Sequence, residues 1–254
     1  MTYYGITDTG KARTENQDIY DFREIPLKCT GGSALCAVVC DGMGGANGGK
    51  YASSLAIETF LNYISKQIEA FGEDISKPEN IPLEKILRDG IKHTNNVVFT
   101  ESVRNSEYSG MGTTLVAMLC IGETLYTVNV GDSRMYILFD GNLSQVTRDH
   151  SFVQTLVDSG SITPEQAKSF PEKNVILRAI GVSSTVEPDI FIIDGLPTAS
   201  VLCSDGLSNM VSDNDIQSVL TSDISAKEMA LRLVKMANDA GGTDNITASV
   251  VLFG

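Results

Sequence analysis

The stretch ALCAVVCDGMGG, residues 34–45, decides the fold class of this chain. Its first seven residues are small, apolar or β-branched, and such a run predicts a strand that is buried on both faces. The run stops at Asp41-Gly42 and a cluster of glycines. From Lys50 to about Ala70, apolar residues recur at helical spacing instead. The segment therefore predicts a buried strand, an acidic turn and an amphipathic helix.

The rest of the chain reads as short strands with two pairs of helices. Pro78 and Pro82 predict a break after the first helix, and Gly122-Glu123 between two apolar runs predicts a hairpin. One helix pair follows the third strand and the other precedes the last strand, which indicates two sheets covered by helices. The predicted strands are Tyr3–Asp8, Asp18–Glu24, Ala34–Cys40, Leu115–Ile121, Thr124–Val130, Arg134–Phe139, Leu143–Val146, Ile190–Ile193, Ser200–Cys203 and Ile246–Phe253, and the main predicted helices are Lys50–Ala70, Leu83–Val103, Asp213–Leu220 and Ala226–Ala240.

The stretch from Thr147 to Val182 differs from the strand-forming segments because it is polar, interrupted and locally helical. Asp149 is predicted to cap a short helix that runs through Val157. Thr163-Pro164 marks a second helix start, with proline at the first helical position. We interpret this stretch as a flap that leaves the sheet core. No linker, repeat or low-complexity block divides the 254 residues, so we expect one domain, 1–254, with the flap at about 147–182.

The composition argues against several functions. A formal net charge of −13 repels phosphate backbones and anionic lipids, so neither nucleic acid nor a membrane is expected as a partner. The N-terminus does not resemble a signal peptide, and no apolar stretch reaches the roughly 20 residues that span a bilayer. The five cysteines lack CxxC spacing, which favours free thiols in a reducing compartment over a zinc site. A cytoplasmic protein is expected.

Four aspartates stand at the ends of predicted strands, where a rigid sheet can present them to a cleft: Asp41, Asp132, Asp205 and Asp244. An Asp-Gly pair taken alone is often a turn, and solubility alone can explain the acidity. An aspartate beside a buried strand nevertheless needs charge compensation, and only 19 basic residues are available. Oxygen ligands suit Mg²⁺ or Mn²⁺. Two such ions about 3.5–4 Å apart can share a carboxylate and activate a water molecule for in-line attack on phosphorus.

Two further segments admit more than one interpretation. Arg13 lies five residues before Asp18 and can bind phosphate oxygens in a bidentate manner, although an ordinary surface ion pair is the alternative. The glycine-rich segment from Gly44 to Lys50 fits the first seven positions of a nucleotide-binding P-loop. It is followed by Tyr51 where that motif requires serine or threonine, and it is preceded by an aspartate, so we do not favour the P-loop.

Six motifs in order resemble the metal-dependent protein phosphatases, the type-2C family, over essentially the whole chain. The similarity is closest to the bacterial-type serine/threonine phosphatases of that family. The motifs are Arg13 with Asn16-Gln17-Asp18, Asp41-Gly42-Met43-Gly44-Gly45, Met111-Gly112-Thr113-Thr114, Val130-Gly131-Asp132-Ser133-Arg134, Ser204-Asp205-Gly206-Leu207 and Gly242-Thr243-Asp244-Asn245-Ile246-Thr247.

The resemblance implies an α+β fold, a four-layer α-β-β-α sandwich of two antiparallel sheets with a small flap subdomain. It implies two to three Mn²⁺ or Mg²⁺ ions and the hydrolysis of phosphoserine and phosphothreonine by a metal-bridging water or hydroxide. Expected partners are phosphorylated proteins, including a cognate serine/threonine kinase that the enzyme opposes, and the enzyme is expected to be a monomer. A catalytically weak member that acts as a regulatory binding protein is the alternative.

The resemblance also implies a role for individual residues. Asp41 would bridge two ions, the Gly42 carbonyl would bind the second, and Asp205 and Asp244 would complete the first. Asp132 would form a third site with Asp205. Asp18 would act through metal-bound water, Asn245 would support the ligands, and Arg13 would bind substrate phosphate.

One position departs from the animal-type members, which carry a histidine proposed as general acid where this chain has Met43. Methionine cannot donate a proton. Of the two histidines, His93 lies in a predicted helix and is expected to be structural, whereas His150 lies at the start of the flap, where local hydrogen bonding is the simplest role. We therefore expect metal-bound water to protonate the leaving group.

Overall fold

The structure is a computed structural model that describes residues 1–27, 31–45, 48–74 and 81–254. Three features discussed above lie outside these residues, namely one of the five cysteines (Cys29), the Ala46-Asn47 part of the glycine-rich loop and the predicted break at Pro78. Within the described ranges, no helix combines the length and the apolar character needed to cross a membrane.

The strands form two antiparallel sheets. In chain order, the strands are β1 (Thr2–Asp8), β2 (Asp18–Leu27), β3 (Gly32–Met43), β4 (Gly112–Thr113), β5 (Leu115–Ile121), β6 (Thr124–Val130), β7 (Arg134–Phe139), β8 (Asn142–Gln145), β9 (Asp189–Asp194), β10 (Ala199–Cys203) and β11 (Ile246–Leu252). Sheet A has the order β1-β11-β10-β7-β8, and sheet B has the order β2-β3-β5-β6-β9, with β4 paired to β3.

Helices cover the outer face of each sheet. The helices are α1 (Gly48–Asp74), α2 (Leu83–Arg104), α3 (Phe152–Asp158), α4 (Pro164–Ala167), α5 (Asp205–Ser208), α6 (Asp213–Leu220) and α7 (Ala226–Asp239), with a 3-10 turn at Ser106–Tyr108. Helices α1 and α2 bury residues such as Phe60 and Ile91 against sheet B, and α7 buries Leu233 against sheet A. Met118 and Leu202 lie in a third core, between the sheets. The expected α-β-β-α sandwich is confirmed.

Strand β3 shows why the apolar run decides the fold. Residues 34–40 are all buried, because one face of the strand packs under α1 and α2 and the other faces sheet A. Burial on both faces explains the absence of polar alternation in this run. The prediction of a strand buried on both faces is therefore correct.

The sheet register gathers the acidic strand ends at one edge of the sandwich. In sheet B, Asp18 at the start of β2 is directly opposite Asp41 near the end of β3. In sheet A, β10 ends one residue before Ser204-Asp205, and the neighbouring β11 begins just after Asp244-Asn245. Like charges directly opposite each other in a sheet are destabilising. The fold therefore creates a local need for positive charge.

The flap begins differently from the prediction. Ser151, not Asp149, caps helix α3 by accepting a hydrogen bond from the Gln154 amide. The Asp149 carboxylate is instead held by the Arg134 guanidinium through contacts of 2.8–3.2 Å, so it is not available to the helix. Helix α4 starts as predicted, with Thr163 in a capping box.

Both ends of the flap are tied to the core. At its start, the His150 amide donates to the Gly131 carbonyl at 2.9 Å. Near its end, the backbones of Thr113 and Ile180 exchange two hydrogen bonds. The buried Asn95 side chain of α2 accepts from the Gly181 amide at 2.8 Å. The flap is thus held at two points beside the acidic edge.

Candidate metal centre

A cleft of about 530 Å³ opens at the edge where the acidic strand ends meet. Most of the residues that the sequence singled out line it, namely Arg13, Asp41, Gly42, Asp132, Asp205, Asp244 and Asn245. The flap contributes Asn174 and Ile176. Asp18 is buried in the wall formed by β2, and His150 does not line the cleft.

Backbone hydrogen bonds fix Asp41 at the end of β3. Its amide donates to the Thr114 hydroxyl at 2.9 Å, and its carbonyl accepts from the Thr113 hydroxyl at 2.8 Å and from the Thr114 amide at 2.8 Å. The next residue, Gly42, has no space for a side chain, because a Cβ there would lie 2.2 Å from the Gly49 carbonyl oxygen. These contacts fix the backbone that presents the Asp41 side chain to the cleft.

Several carboxylate oxygens are buried without a hydrogen-bond partner. They are Oδ1 of Asp18, of Asp132 and of Asp205. The other oxygens of two of these groups are engaged: Asp18 Oδ2 accepts from two hydroxyls, and Asp205 Oδ2 accepts from the Asn209 side-chain amide at 3.0 Å. Buried polar atoms are normally paired. Three unpaired acidic oxygens around one cleft point to ligands that are cations.

The electrostatics of the cleft lead to the same conclusion. Burial raises the pKa of Asp18 to about 7 and the pKa of Asp132 to about 8. Burial also raises the pKa of Asp41 well above its ordinary value, and the charges of Asp18 and Asp205 raise it further. The pKa of Asp205 rises through burial and the charge of Asp244. A divalent cation among these groups would favour their charged forms and lower these pKa values.

The donor set fits Mg²⁺ or Mn²⁺, which prefer carboxylate, carbonyl and water oxygens. Among the residues that the structure describes, no three histidine, cysteine or acidic side chains form a group that could hold an ion by themselves. An ion that is bound by one or two carboxylates and keeps several water molecules does not need such a group. The residues therefore fit open sites completed by water rather than a closed cage.

Arg13 and Asp244 contact each other in this structure. Arg13 Nη2 lies 2.8 Å from Asp244 Oδ2, and the other Asp244 oxygen accepts from the Asn245 amide at 2.9 Å. The Arg13 side chain remains 57% exposed at the rim of the cleft. The sequence assigned phosphate to Arg13 and a cation to Asp244. The contact pairs opposite charges at the rim of the cleft.

Asn245 holds the loop that carries Arg13. Its side chain accepts from the Gln17 amide at 2.9 Å and donates to the carbonyls of Thr9 and Glu15 at 3.0 and 2.8 Å. These three bonds span both sides of Arg13 in the chain. Asn245 therefore acts on the cleft through the N-terminal loop.

The histidines lie away from the cleft lining. His150 Nδ1 accepts from the Gly131 amide at 3.2 Å, and Nε2 lies 3.1 Å from Asp189 Oδ2. Burial lowers the His150 pKa, so the ring is predominantly neutral at pH 7. His93 packs against the Tyr63 ring at 5.2 Å between centroids. The described part of the cleft lining contains Met43 but no histidine.

The sequence interpretation gave no role to two buried hydroxyl residues, Ser204 and Thr247, which both donate to Asp18. It also did not place Asn174 and Ile176 at the cleft. The sequence carried a weak signal for Thr247, because Thr247 and Ser249 are the two polar residues of an otherwise apolar strand, but it did not distinguish the one that contacts Asp18 from the other. For the flap residues no comparable pattern exists in the sequence.

Comparison with known proteins gives consistent matches over nearly the whole chain. The family model described as Protein phosphatase 2C matches residues 11–246. The serine/threonine phosphatase stp of Listeria welshimeri is 35% identical over 249 residues, covering 96% of this chain and 93% of that protein. The solved Mycobacterium tuberculosis serine/threonine phosphatase PstP/Ppp has a TM-score of 0.83 at 35% identity, covering 98% of this chain and 97% of that one. A solved catalytic domain of PstP in complex with two manganese ions has a TM-score of 0.80 at 34% identity, covering 98% and 96%.

Proposed function

The chain belongs to the protein phosphatase 2C family and is a metal-dependent serine/threonine protein phosphatase, and on this basis we propose how its cleft binds cations and substrate. The proposal rests on one observation, the buried and unpaired carboxylate oxygens around a cleft that Arg13 borders. We propose that the cleft binds two to three Mn²⁺ or Mg²⁺ ions. The PstP structure that contains two manganese ions supports two of these ions and Mn²⁺ as their type.

The position of each ligand suggests a division of roles. Asp41, near the end of β3 and opposite Asp18, would bridge two ions, and the Gly42 carbonyl would bind the second of them. Asp205 and Asp244, which follow β10 and precede β11 of sheet A, would complete the first site. Asp132 has a buried, unpaired oxygen that suits a third site shared with Asp205. Asp18 and Asn245 would stabilise this arrangement. Asp18 would do so through its buried carboxylate, and Asn245 through its hydrogen bonds to the N-terminal loop.

Bound cations would supply a nucleophile from water at neutral pH and neutralise charge on the phosphoryl group. The protein contributes positioning and phosphate recognition. The Arg13 guanidinium stands at the rim of the cleft, more than half exposed, where a phosphate can replace Asp244 as its partner. The described lining holds no histidine, lysine or cysteine, and bound cations would keep the ligand carboxyl groups in their charged forms. We therefore propose that water rather than a side chain protonates the leaving serine or threonine oxygen.

Substitution of the bridging carboxylate tests the assignment directly. Asp41→Asn and Asp205→Asn should each lower Mn²⁺-dependent hydrolysis of p-nitrophenyl phosphate by about 10³-fold, because a charged ligand contributes several kcal/mol and each 1.36 kcal/mol is tenfold in rate. Asp223→Asn, at an exposed aspartate distant in sequence from the motifs, is the matched control and should retain full activity. Near-normal turnover of both cleft variants would contradict the proposed ligand set.

The remaining assignments also stand as proposals. Phosphoproteins, including a serine/threonine kinase that the enzyme opposes, are the proposed substrates, and a monomer of one catalytic domain with a flap at about 147–182 is the proposed form. The described cysteines Cys36, Cys40, Cys120 and Cys203 are free, which supports a cytoplasmic, reducing location. The alternatives of a weak regulatory member and of a P-loop hydrolase are not favoured. Nucleotide binding that depended on Lys50 would favour the P-loop hydrolase instead.

A further inference from the structure

Asp18 is held by two buried hydroxyl groups. Its Oδ2 atom accepts from the Ser204 hydroxyl at 2.6 Å and from the Thr247 hydroxyl at 2.7 Å. All three residues are almost fully buried, at 3%, 0% and 0% exposure respectively. The other oxygen, Oδ1, is buried and has no hydrogen-bond partner. One carboxylate oxygen is therefore held by two hydrogen bonds, and the other has no protein donor.

The Ser204 hydroxyl does not serve the role that its position favours. Ser204 occupies the N-cap of α5, where serine normally accepts a hydrogen bond from the helix, but here its side chain makes no capping bond. Its oxygen accepts instead from the Thr247 amide at 3.0 Å. The Ser204 hydroxyl has one proton and two acceptors within reach, Asp18 Oδ2 at 2.6 Å and the Asn245 carbonyl oxygen at 3.5 Å, and the much shorter distance favours Asp18.

A row of polar groups extends behind Thr247. The Thr247 and Thr7 hydroxyl oxygens lie 2.8 Å apart, and the Asn16 side-chain amide donates to Thr7 at 2.8 Å. A charged carboxylate can only accept hydrogen bonds, so the one Thr247 proton goes to Asp18, and Thr7 is then the donor in its bond with Thr247. Aligned hydrogen bonds of this kind strengthen one another.

These contacts join the two sheets at the cleft. Asp18 belongs to sheet B and is opposite Asp41, whereas Ser204 and Thr247 belong to the sheet A segments that carry Asp205 and Asp244. The two hydroxyls thus connect the halves of the cleft. A hydroxyl that merely filled space between the sheets would not need to converge with another on a single carboxylate oxygen.

We propose that Ser204 and Thr247 are positioning residues that orient the Asp18 carboxylate and set the spacing of the carboxylates from the two sheets for cation binding. The inference rests on the proposed metal centre and deepens it. Neither hydroxyl is expected to contact an ion itself.

The test compares Mn²⁺ affinity, measured by titration calorimetry on chelator-treated protein, among variants of Thr247 and Ser204. Thr247→Val keeps the shape of the side chain and removes its hydroxyl group. Ser204→Ala also removes a hydroxyl group, and it alters nothing else in the side chain. Each should weaken Mn²⁺ binding about 10- to 100-fold, the usual effect of losing a group that orients a ligand. Thr247→Ser restores the hydroxyl and should bind Mn²⁺ within about twofold of the parent protein.

Ser249 provides a matched control. It is buried on the same strand as Thr247, two residues further along, and its hydroxyl has no hydrogen-bond partner. Ser249→Ala should leave Mn²⁺ affinity unchanged. A loss equal to that of Thr247→Val would mean that any cavity in β11 weakens binding, and would overturn the proposal.

A double-mutant comparison separates positioning from general packing. If Thr247 acts through Asp18, Thr247→Val should have little further effect on Mn²⁺ affinity in an Asp18→Asn background, whereas independent effects would add. Full additivity, or unchanged affinity in both Thr247→Val and Ser204→Ala, would refute the proposal. If Thr247→Val does not fold, as judged by circular dichroism, Ser204→Ala carries the same comparison.

The outcomes for the metal centre and for the positioning residues can be distinguished. Failure of the unmodified protein to bind Mn²⁺ would overturn both proposals. Loss of Mn²⁺ binding in Asp41→Asn together with unchanged binding in Thr247→Val and Ser204→Ala would leave the metal centre in place and refute only the positioning role.

Discussion

Asn245→Ala is the substitution whose effect on the free energy of unfolding follows most directly from the structure. The Asn245 side chain is 6% exposed and makes three hydrogen bonds to the loop between Thr9 and Gln17. A typical intramolecular hydrogen bond contributes about 0.5–1.5 kcal/mol net, so the three together amount to about 3 kcal/mol. Alanine also leaves the carbonyls of Thr9 and Glu15 without this donor. We therefore expect a loss of about 3 kcal/mol in the free energy of unfolding.

The assay is unfolding in the presence of a chelator, because bound cations would add their own stabilisation to the folded state. For a protein of this size each kcal/mol corresponds to about 2–4 °C, so the unfolding midpoint should fall by about 6–12 °C. Asn142→Ala is the matched control: that residue is exposed, and its side chain makes one hydrogen bond, of 3.2 Å, to the Asp140 carbonyl. Its effect should stay within about 0.5 kcal/mol.

The same substitution should weaken phosphate recognition, because Arg13 lies within the loop that Asn245 anchors. With saturating Mn²⁺, we expect KM for p-nitrophenyl phosphate to rise more than kcat falls. Hydrogen exchange of the loop amides should also become faster. A loss of stability below about 1 kcal/mol with unchanged exchange in the loop would refute the reasoning, since the three contacts would then contribute no net stability.

Three further predictions concern the turn, the flap and the titration of the cleft. Gly42→Ala should abolish Mn²⁺ binding or folding because its Cβ would lie 2.2 Å from a backbone carbonyl oxygen, whereas Gly45→Ala, with no atom within 4 Å, should be tolerated in calorimetry and thermal unfolding. Asn95→Ala should cost about 1–3 kcal/mol and speed amide exchange at the end of the flap; unchanged exchange would contradict this anchor. With a chelator present, the pKa values of Asp18 (about 7) and Asp132 (about 8) in the folded protein exceed their values in the unfolded chain. The folded state therefore binds more protons, and these two groups lower the free energy of unfolding as pH rises from about 4 to about 8. Asp132→Asn should flatten that decline in thermal unfolding, and an equally steep decline would exclude Asp132 as its source.

The regular elements of the fold were predictable because their sequences carry local patterns. The runs Leu115–Ile121 and Thr124–Val130 coincide with β5 and β6, since an apolar run on each side of a glycine turn favours a hairpin. The cap of α3 was not predictable in this way. Asp149 and Ser151 are both good N-caps, and the choice between them depends on Arg134, which lies in another element.

The site carboxylates were predictable for a similar reason, because each stands beside a strand end within a short motif. Their hydrogen-bond partners were not. Thr247 lies 229 residues after Asp18 and reaches it only because β1 pairs with β11 in one sheet and β2 lies in the other. No local pattern encodes that contact. The sequence therefore points to the candidate ligands, whereas the register and packing of the two sheets are needed to find the residues that we propose orient them.

The charges of the cleft tie the stability of the protein to its metal supply. Arg13 is the basic side chain in the described lining, which also contains five acidic side chains, namely Glu15, Asp41, Asp132, Asp205 and Asp244. One exposed guanidinium cannot balance this many acidic groups, and burial raises the pKa values of Asp41, Asp132 and Asp205. Cations would therefore supply most of the compensation. A cation at a concentration 100 times its Kd adds about 2.7 kcal/mol to the folded state. This is comparable with the whole contribution of Asn245, so metal supply should control folding as well as turnover.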